Sequence, residues 1–110
     1  KINLDEMGPK FENHPLFPER TNVQFASISA PDKIKMRVWE RGVGVTLASG
    51  SSSCATAVAA NRRGLTGKKV QIELDGGILN INWREDGVWM TGPTMNVFTG
   101  SISEEFLNSL

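Results

Sequence analysis

RGVGVTLASGSSSCATAVAANRRG, residues 41–64, is the stretch on which the fold turns. It reads in order as a strand exit, a glycine-rich loop and a helix of very small residues. Cys54, Ala55, Ala57, Val58, Ala59 and Ala60 cover most of the helix circumference, and no distinct polar face appears before Asn61, Arg62 and Arg63. A helix that is apolar nearly all round is normally buried. Its small side chains also let the surrounding backbone come close. Arg62 and Arg63 complement the negative end of the helix dipole, and Gly64 suits the residue just past the cap.

The flanking segments carry a different period. In KIKMRVWE, residues 33–40, Ile34, Met36 and Val38 share one face, and Lys33, Lys35 and Arg37 share the other, as in a half-buried antiparallel strand. TNVQFASIS before it reads as a strand with Val23 and Phe25 on one side. Val70, Ile72 and Leu74 alternate with polar residues, and Asp75-Gly76-Gly77 marks a hairpin. Leu79, Ile81 and Trp83 continue the alternation up to the Glu85-Asp86-Gly87 turn. VWM and TMNVFTG read as two more short strands around Gly92-Pro93, and SEEFLNSL as a terminal helical turn or a frayed end. Residues 1–20 are expected to be an irregular lead-in, because Pro9, Pro15 and Pro18 interrupt them. The expected fold is α+β, a mostly antiparallel sheet curled around one central buried helix, with residues 1–110 forming a single domain.

Composition narrows the function classes. Twelve basic and twelve acidic residues cancel, so no charge excess favours nucleic acid or a membrane surface. No apolar run approaches the roughly 20 residues that a membrane helix needs, and no signal-peptide pattern opens the chain. A single cysteine forms no internal disulfide and fits a reducing cytoplasm. The chain opens on Lys1 rather than Met, which reads as a piece of a longer protein.

The mouth of the small-residue helix carries the chemistry. Gly50 and Ser51–Ser53 leave backbone N–H groups at the positive end of a helix dipole with little side-chain bulk over them, which suits a carboxylate or a phosphate. Familiar nucleotide motifs do not fit. After Gly42 and Gly44, the third glycine of a dinucleotide fingerprint would fall at Leu47, and no P-loop ending follows. A nucleophile elbow would need glycine where Cys54 stands. His14, the only histidine, precedes a proline and has no evident partner, so neither a histidine triad nor a metal site is expected.

FPERTNVQF, VWERGVGVTLASGSSSCA and DGGILNINW…VWMTGPTMNVFTGSI together resemble the C-terminal half of diaminopimelate epimerase, in order from about Gly8 to Ile102. The resemblance implies two similar halves, each a curled sheet around a central helix, with the active site in the cleft between them. It implies inversion of an amino acid's α-carbon by two cysteines on opposite faces, without pyridoxal phosphate or any other cofactor, in lysine and cell-wall precursor synthesis. One thiolate removes the α-proton and the other thiol delivers a proton. Helix N-termini stabilise charge developing on the α-carboxylate and lower the pKa of a neighbouring thiol.

By the same resemblance, Gly50 and Ser51 offer N–H groups to the α-carboxylate, and Asn22 helps to hold the distal end of diaminopimelate. Glu40 lies near an amino group, and the planar fork of Arg41 grips the distal carboxylate. A missing N-terminal half and a homodimer are the implied partners, with no nucleic acid and no membrane. One position departs from the pattern: Ser49 stands where the family has its catalytic cysteine. Cys54 aligns with a second, structural cysteine, more than one helical turn further on. A serine hydroxyl is a poor base at neutral pH, so this chain alone is expected to be inactive. Three accounts stay open: a silenced epimerase site, a relative with dehydratase-like chemistry, or a non-catalytic binding domain.

Overall fold

The computed structural model describes residues 2–110. Helix α1 (Leu4–Glu12) is followed by turns, then by strands β1 (Val23–Ala30), β2 (Lys33–Glu40) and β3 (Gly44–Thr46). Helix α2 (Gly50–Arg62) leads to β4 (Lys69–Leu74), β5 (Gly77–Arg84), β6 (Gly87–Thr91) and a short α3 (Glu104–Asn108). The sheet order is β1-β2-β4-β5-β6, with β3 paired to β2. All pairings are antiparallel except β2 with β4, whose register sets Ile34 beside Ile72. A parallel pair cannot be closed by a tight hairpin. The crossover between β2 and β4 carries β3 and α2, and it lays α2 against β1, β2, β4, β5 and β6. The α+β fold with a sheet curled over one helix is therefore present.

The strand alternation builds the core. Ile34, Met36 and Val38 from β2, Ile72 from β4 and Ile81 from β5 are at most 1 % exposed, and full burial of such a side chain is worth roughly 1.5–3 kcal/mol. Ala57 and Ala60 of α2 close over this layer, with Cys54 half-buried at its margin. The helix stops where the sequence implies. Gly64 adopts φ 72°, its N–H donates to the Asn61 carbonyl, and the Leu65 N–H reaches back to Ala60. That is a complete Schellman cap.

Three sequence expectations change. The lead-in is not irregular throughout, because Leu4–Glu12 is helical with Pro9 inside it. Tertiary contact outweighs the proline: Leu4, Gly8 and Glu12, spaced four apart, form a buried stripe, and Phe11 meets Phe25 edge-on at 5.9 Å. Second, α2 is not enclosed on every side, since Ser51, Ala55, Ala59 and Arg62 form an exposed line along it. Third, TMNVFTG forms no strand. β6 is the last strand of the sheet, and Gly92-Pro93 turns the chain away from that edge. Met95, Val97 and Phe98 are left 85 %, 82 % and 85 % exposed.

Candidate functional site

Ser49 begins α2 in extended backbone (φ −150°, ψ 117°), and its side chain caps the helix. Its Oγ accepts from the Ser52 N–H at 3.4 Å, and its carbonyl accepts from the Ser53 N–H at 3.0 Å and the Ser53 hydroxyl at 2.7 Å. The cap therefore satisfies the third and fourth N–H groups. Those of Gly50 and Ser51 have no acceptor among the described residues. They are orphan donors at the positive end of a thirteen-residue helix. Side chains are nearly absent here for a packing reason as well. A Cβ on Gly50 would come within 2.9 Å of the Met90 sulfur on β6.

The β2–β3 turn lies at the same end of the sheet. The Asn22 Oδ1 accepts from the Arg41 backbone N–H at 2.8 Å, which joins the chain entering β1 to the chain leaving β2. The Arg41 Nη1 donates to the Glu19 carbonyl at 3.0 Å, and the rest of its exposed guanidinium makes no hydrogen bond among the described residues. Glu40 accepts from the Thr46 hydroxyl at 2.7 Å, three residues before Ser49. Gln24 closes the arrangement by donating from Nε2 to the Ser52 Oγ at 2.9 Å. Asn22, Glu40 and Arg41 thus stand together, and Thr46 and Gln24 link them to the capped mouth of α2.

Sequence reasoning missed Gln24, Thr46 and Glu12. The signal for Gln24 was a polar residue on a core face, since it pairs with Val38. Glu12 had a signal in its four-residue spacing from Gly8 and Leu4. It is 5 % exposed and accepts from the Trp39 Nε1 at 2.7 Å, the Gly42 N–H at 2.9 Å and the Arg20 Nη1 at 3.0 Å. The Trp39 bond above all, then the Gly42 bond, hold its carboxyl below the ordinary value of 4.5. Burial opposes them, and the nearby Arg20 and Arg41 charges assist.

His14 stays apart, with its Nδ1 accepting from the Leu16 N–H, and no metal-binding cluster occurs among the described residues. A cavity of about 970 Å³ lies instead between the start of α1 and the β1–β2 face, lined in part by Ile2, Leu4, Phe25 and Arg37. The candidate site is an open wall, not a closed pocket.

Comparison with known proteins gives this wall a family. A family model described as Diaminopimelate epimerase matches residues 1–97. The diaminopimelate epimerase of Rhodospirillum centenum is 58 % identical over 107 residues, covering 96 % of this chain and 37 % of that protein. Those of Synechococcus elongatus and Bacteroides thetaiotaomicron are each 54 % identical, over 92 % and 93 % of this chain and 36 % and 39 % of their own lengths. The chain therefore spans well under half of these relatives. Among solved structures, a Bacillus anthracis phenazine biosynthesis protein of the PhzF family aligns with TM-score 0.58 and 25 % identity, over 81 % of this chain and 30 % of that one. A putative phenazine biosynthesis PhzC/PhzF protein from Clostridium difficile reaches TM-score 0.66 at 16 % identity over 98 % of this chain and 40 % of that one, a likeness of fold. With matches along nearly its whole length, the chain belongs to the diaminopimelate epimerase family.

Proposed function

We propose that this chain is the C-terminal wall of an enzyme that interconverts LL- and meso-diaminopimelate by two-base proton transfer at the α-carbon. The observation that carries the reading is the pair of orphan N–H groups on Gly50 and Ser51, at the end of the sheet that also holds Glu40, Arg41 and Asn22. An α-carboxylate seated on those donors would be stabilised as negative charge develops on deprotonation, by dipoles already in place. The unengaged side of the Arg41 guanidinium suits the distal carboxylate. Glu40, with one oxygen held by Thr46, keeps a second to accept from an ammonium. In this reading no metal or pyridoxal phosphate takes part.

The reaction needs a second base on the opposite face, supplied by an N-terminal half of the same polypeptide. Residues 92–110 support such a partner. Met95, Val97, Phe98, Ile102 and Leu110 are 68–89 % exposed, and the chain is elongated, 55 × 33 × 28 Å with a radius of gyration of 17.3 Å, against about 13 Å for a compact domain of this length. A homodimeric, cytoplasmic enzyme completes the proposal.

Ser49 sets the activity. Its hydroxyl accepts from the Ser52 N–H and is hydrogen-bonded to no basic or acidic side chain among the described residues, so nothing there activates it as a base. The test is α-proton exchange from diaminopimelate in heavy water by the complete polypeptide, with Ser49 and with Ser49→Cys side by side. Exchange is expected only with cysteine. Robust exchange with serine in place, or none from a folded Ser49→Cys protein, overturns the role given to position 49.

A further inference from the structure

Glu12 sits where helix energetics disfavour it. It is the last residue of α1, and a carboxylate near a helix C-terminus is opposed by the macrodipole. It is also buried. Its three hydrogen bonds offset both costs, and their targets lie on both sides of one residue. The Glu12 Oε1 holds the Gly42 N–H, the peptide immediately after Arg41. The same oxygen pairs with Arg20, a non-glycine residue in the left-handed region at φ 62°, a strained conformation that persists only where its surroundings impose it. Arg20 follows Glu19, whose carbonyl holds the Arg41 guanidinium, and precedes by two residues Asn22, whose side chain holds the Arg41 backbone N–H. The other oxygen, Oε2, fixes the Trp39 indole, two residues before Arg41.

We propose that Glu12 is the positioning residue for Arg41. One buried carboxylate ties Arg20, the β2 end at Trp39 and the Gly42 turn together, so that the free edge of the Arg41 guanidinium is held at the distance and tilt a distal carboxylate requires. The inference rests on the functional reading above and names the residue that sets selectivity at its distal end. A misplacement of about 1 Å at a positioning group can cost on the order of 100-fold in rate.

The test is calorimetric binding of diaminopimelate, and of L-lysine, which lacks the distal carboxylate, to the complete polypeptide. The parent is compared with Glu12→Gln, Arg41→Ala and the double variant. The glutamine keeps one acceptor oxygen but turns an amide N–H group toward either the indole or the peptide N–H. Expected is a loss of about tenfold or more in diaminopimelate affinity for Glu12→Gln, no change for lysine, and a double variant no weaker than Arg41→Ala alone. If Arg41→Ala weakens binding and Glu12→Gln does not, the positioning role falls and the reading of the site stands. If Arg41→Ala leaves binding intact, the distal-carboxylate reading falls and takes this role with it. Equal losses for both ligands, or losses that add independently in the double variant, mean a general folding role and overturn the proposal. Should Glu12→Gln not fold, Trp39→Phe removes one clamp bond while keeping a ring against Gly8. A smaller loss confined to diaminopimelate is then expected, and no loss, or one shared with lysine, refutes the role.

Discussion

Replacing Gly8 by alanine isolates the contact between α1 and the sheet. A Cβ built on Gly8 would lie 2.3, 2.4 and 2.7 Å from three atoms of the Trp39 ring. Carbon atoms rest at about 3.5–4.0 Å, so the ring or the helix must shift by about 1.2 Å or more. The ring has little freedom, because its Nε1 is bonded to the buried Glu12 carboxylate. Overpacking of this severity costs about 3 kcal/mol, the upper end of the usual range. Exchanging glycine for alanine within a helix returns about 1 kcal/mol. The net expectation is a loss of about 2 kcal/mol, which lowers a urea midpoint by about 1 M for a slope near 2 kcal/mol/M. Tryptophan fluorescence of the complete polypeptide reads both the midpoint and the ring's surroundings. Gly67→Ala is the matched control: nothing lies within 4 Å of its added Cβ, so it should be neutral or stabilise by about 0.4–1 kcal/mol through the unfolded chain. A Gly8→Ala midpoint equal to or above the parent's would refute the reasoning.

Two further outcomes are expected. Because the Glu12 carboxyl is held below 4.5 in the folded chain, the unfolded chain takes up that proton first as pH falls; the stabilisation is full above 4.5 and is lost as pH drops through the folded value. Urea midpoints from pH 7 to pH 3 should therefore fall more steeply for the parent than for Glu12→Gln, and parallel acid limbs would contradict the assignment. Cys54→Ala in a Ser49→Cys background should retain α-proton exchange and lose about 1 kcal/mol of stability, as expected of a thiol packed at the core margin. Abolished exchange in a stable protein would make Cys54 part of the chemistry.

The sheet was legible because its strands alternate strictly. Ile34, Met36 and Val38, like Val70, Ile72 and Leu74, each declare one buried face, and Asp75-Gly76 closes the hairpin where turn chemistry puts it. The same rule failed at 94–100, where alternation is present but no free edge lies alongside. Strand character there depends on a neighbour, not on the segment itself. Helix α1 was hidden by Pro9, since a local breaker is easier to read than a stripe of Leu4, Gly8 and Glu12 whose counterpart is a tryptophan 31 residues beyond the glycine. At the site, Gly50 and Ser51 were readable as exposed donors from helix physics alone. Asn22, Glu40 and Arg41 came only through family resemblance, because nothing local marks a turn residue as functional. Their supports, Gln24, Thr46 and Glu12, act across 28, 6 and 30 residues, beyond any local pattern.

The serine at position 49 brings stability and chemistry into opposition at one atom. As an N-cap its oxygen satisfies a helix donor, and loss of a serine cap typically costs about 1 kcal/mol. Sulfur is a weaker acceptor, so Ser49→Cys should loosen the first turn slightly while leaving the Ser49 carbonyl bonds to Ser53 intact. The same change gives the side chain a group that ionises near neutral pH, beside two unpaired N–H groups that favour its anion. A catalytic residue at this position is therefore a poor cap, and a good cap is a poor base. The helix can afford the poorer cap only because Ser53, fully buried, keeps the chain entry fixed through the main chain of residue 49. The main chain of residue 49 thus holds the helix entry whichever side chain stands there. The substitution also separates the silenced-epimerase account of Ser49 from the other two: an exchange-competent Ser49→Cys protein with a slightly lowered midpoint means an epimerase wall stabilised at the expense of its base, whereas a lowered midpoint without exchange means a wall whose chemistry never ran through this residue.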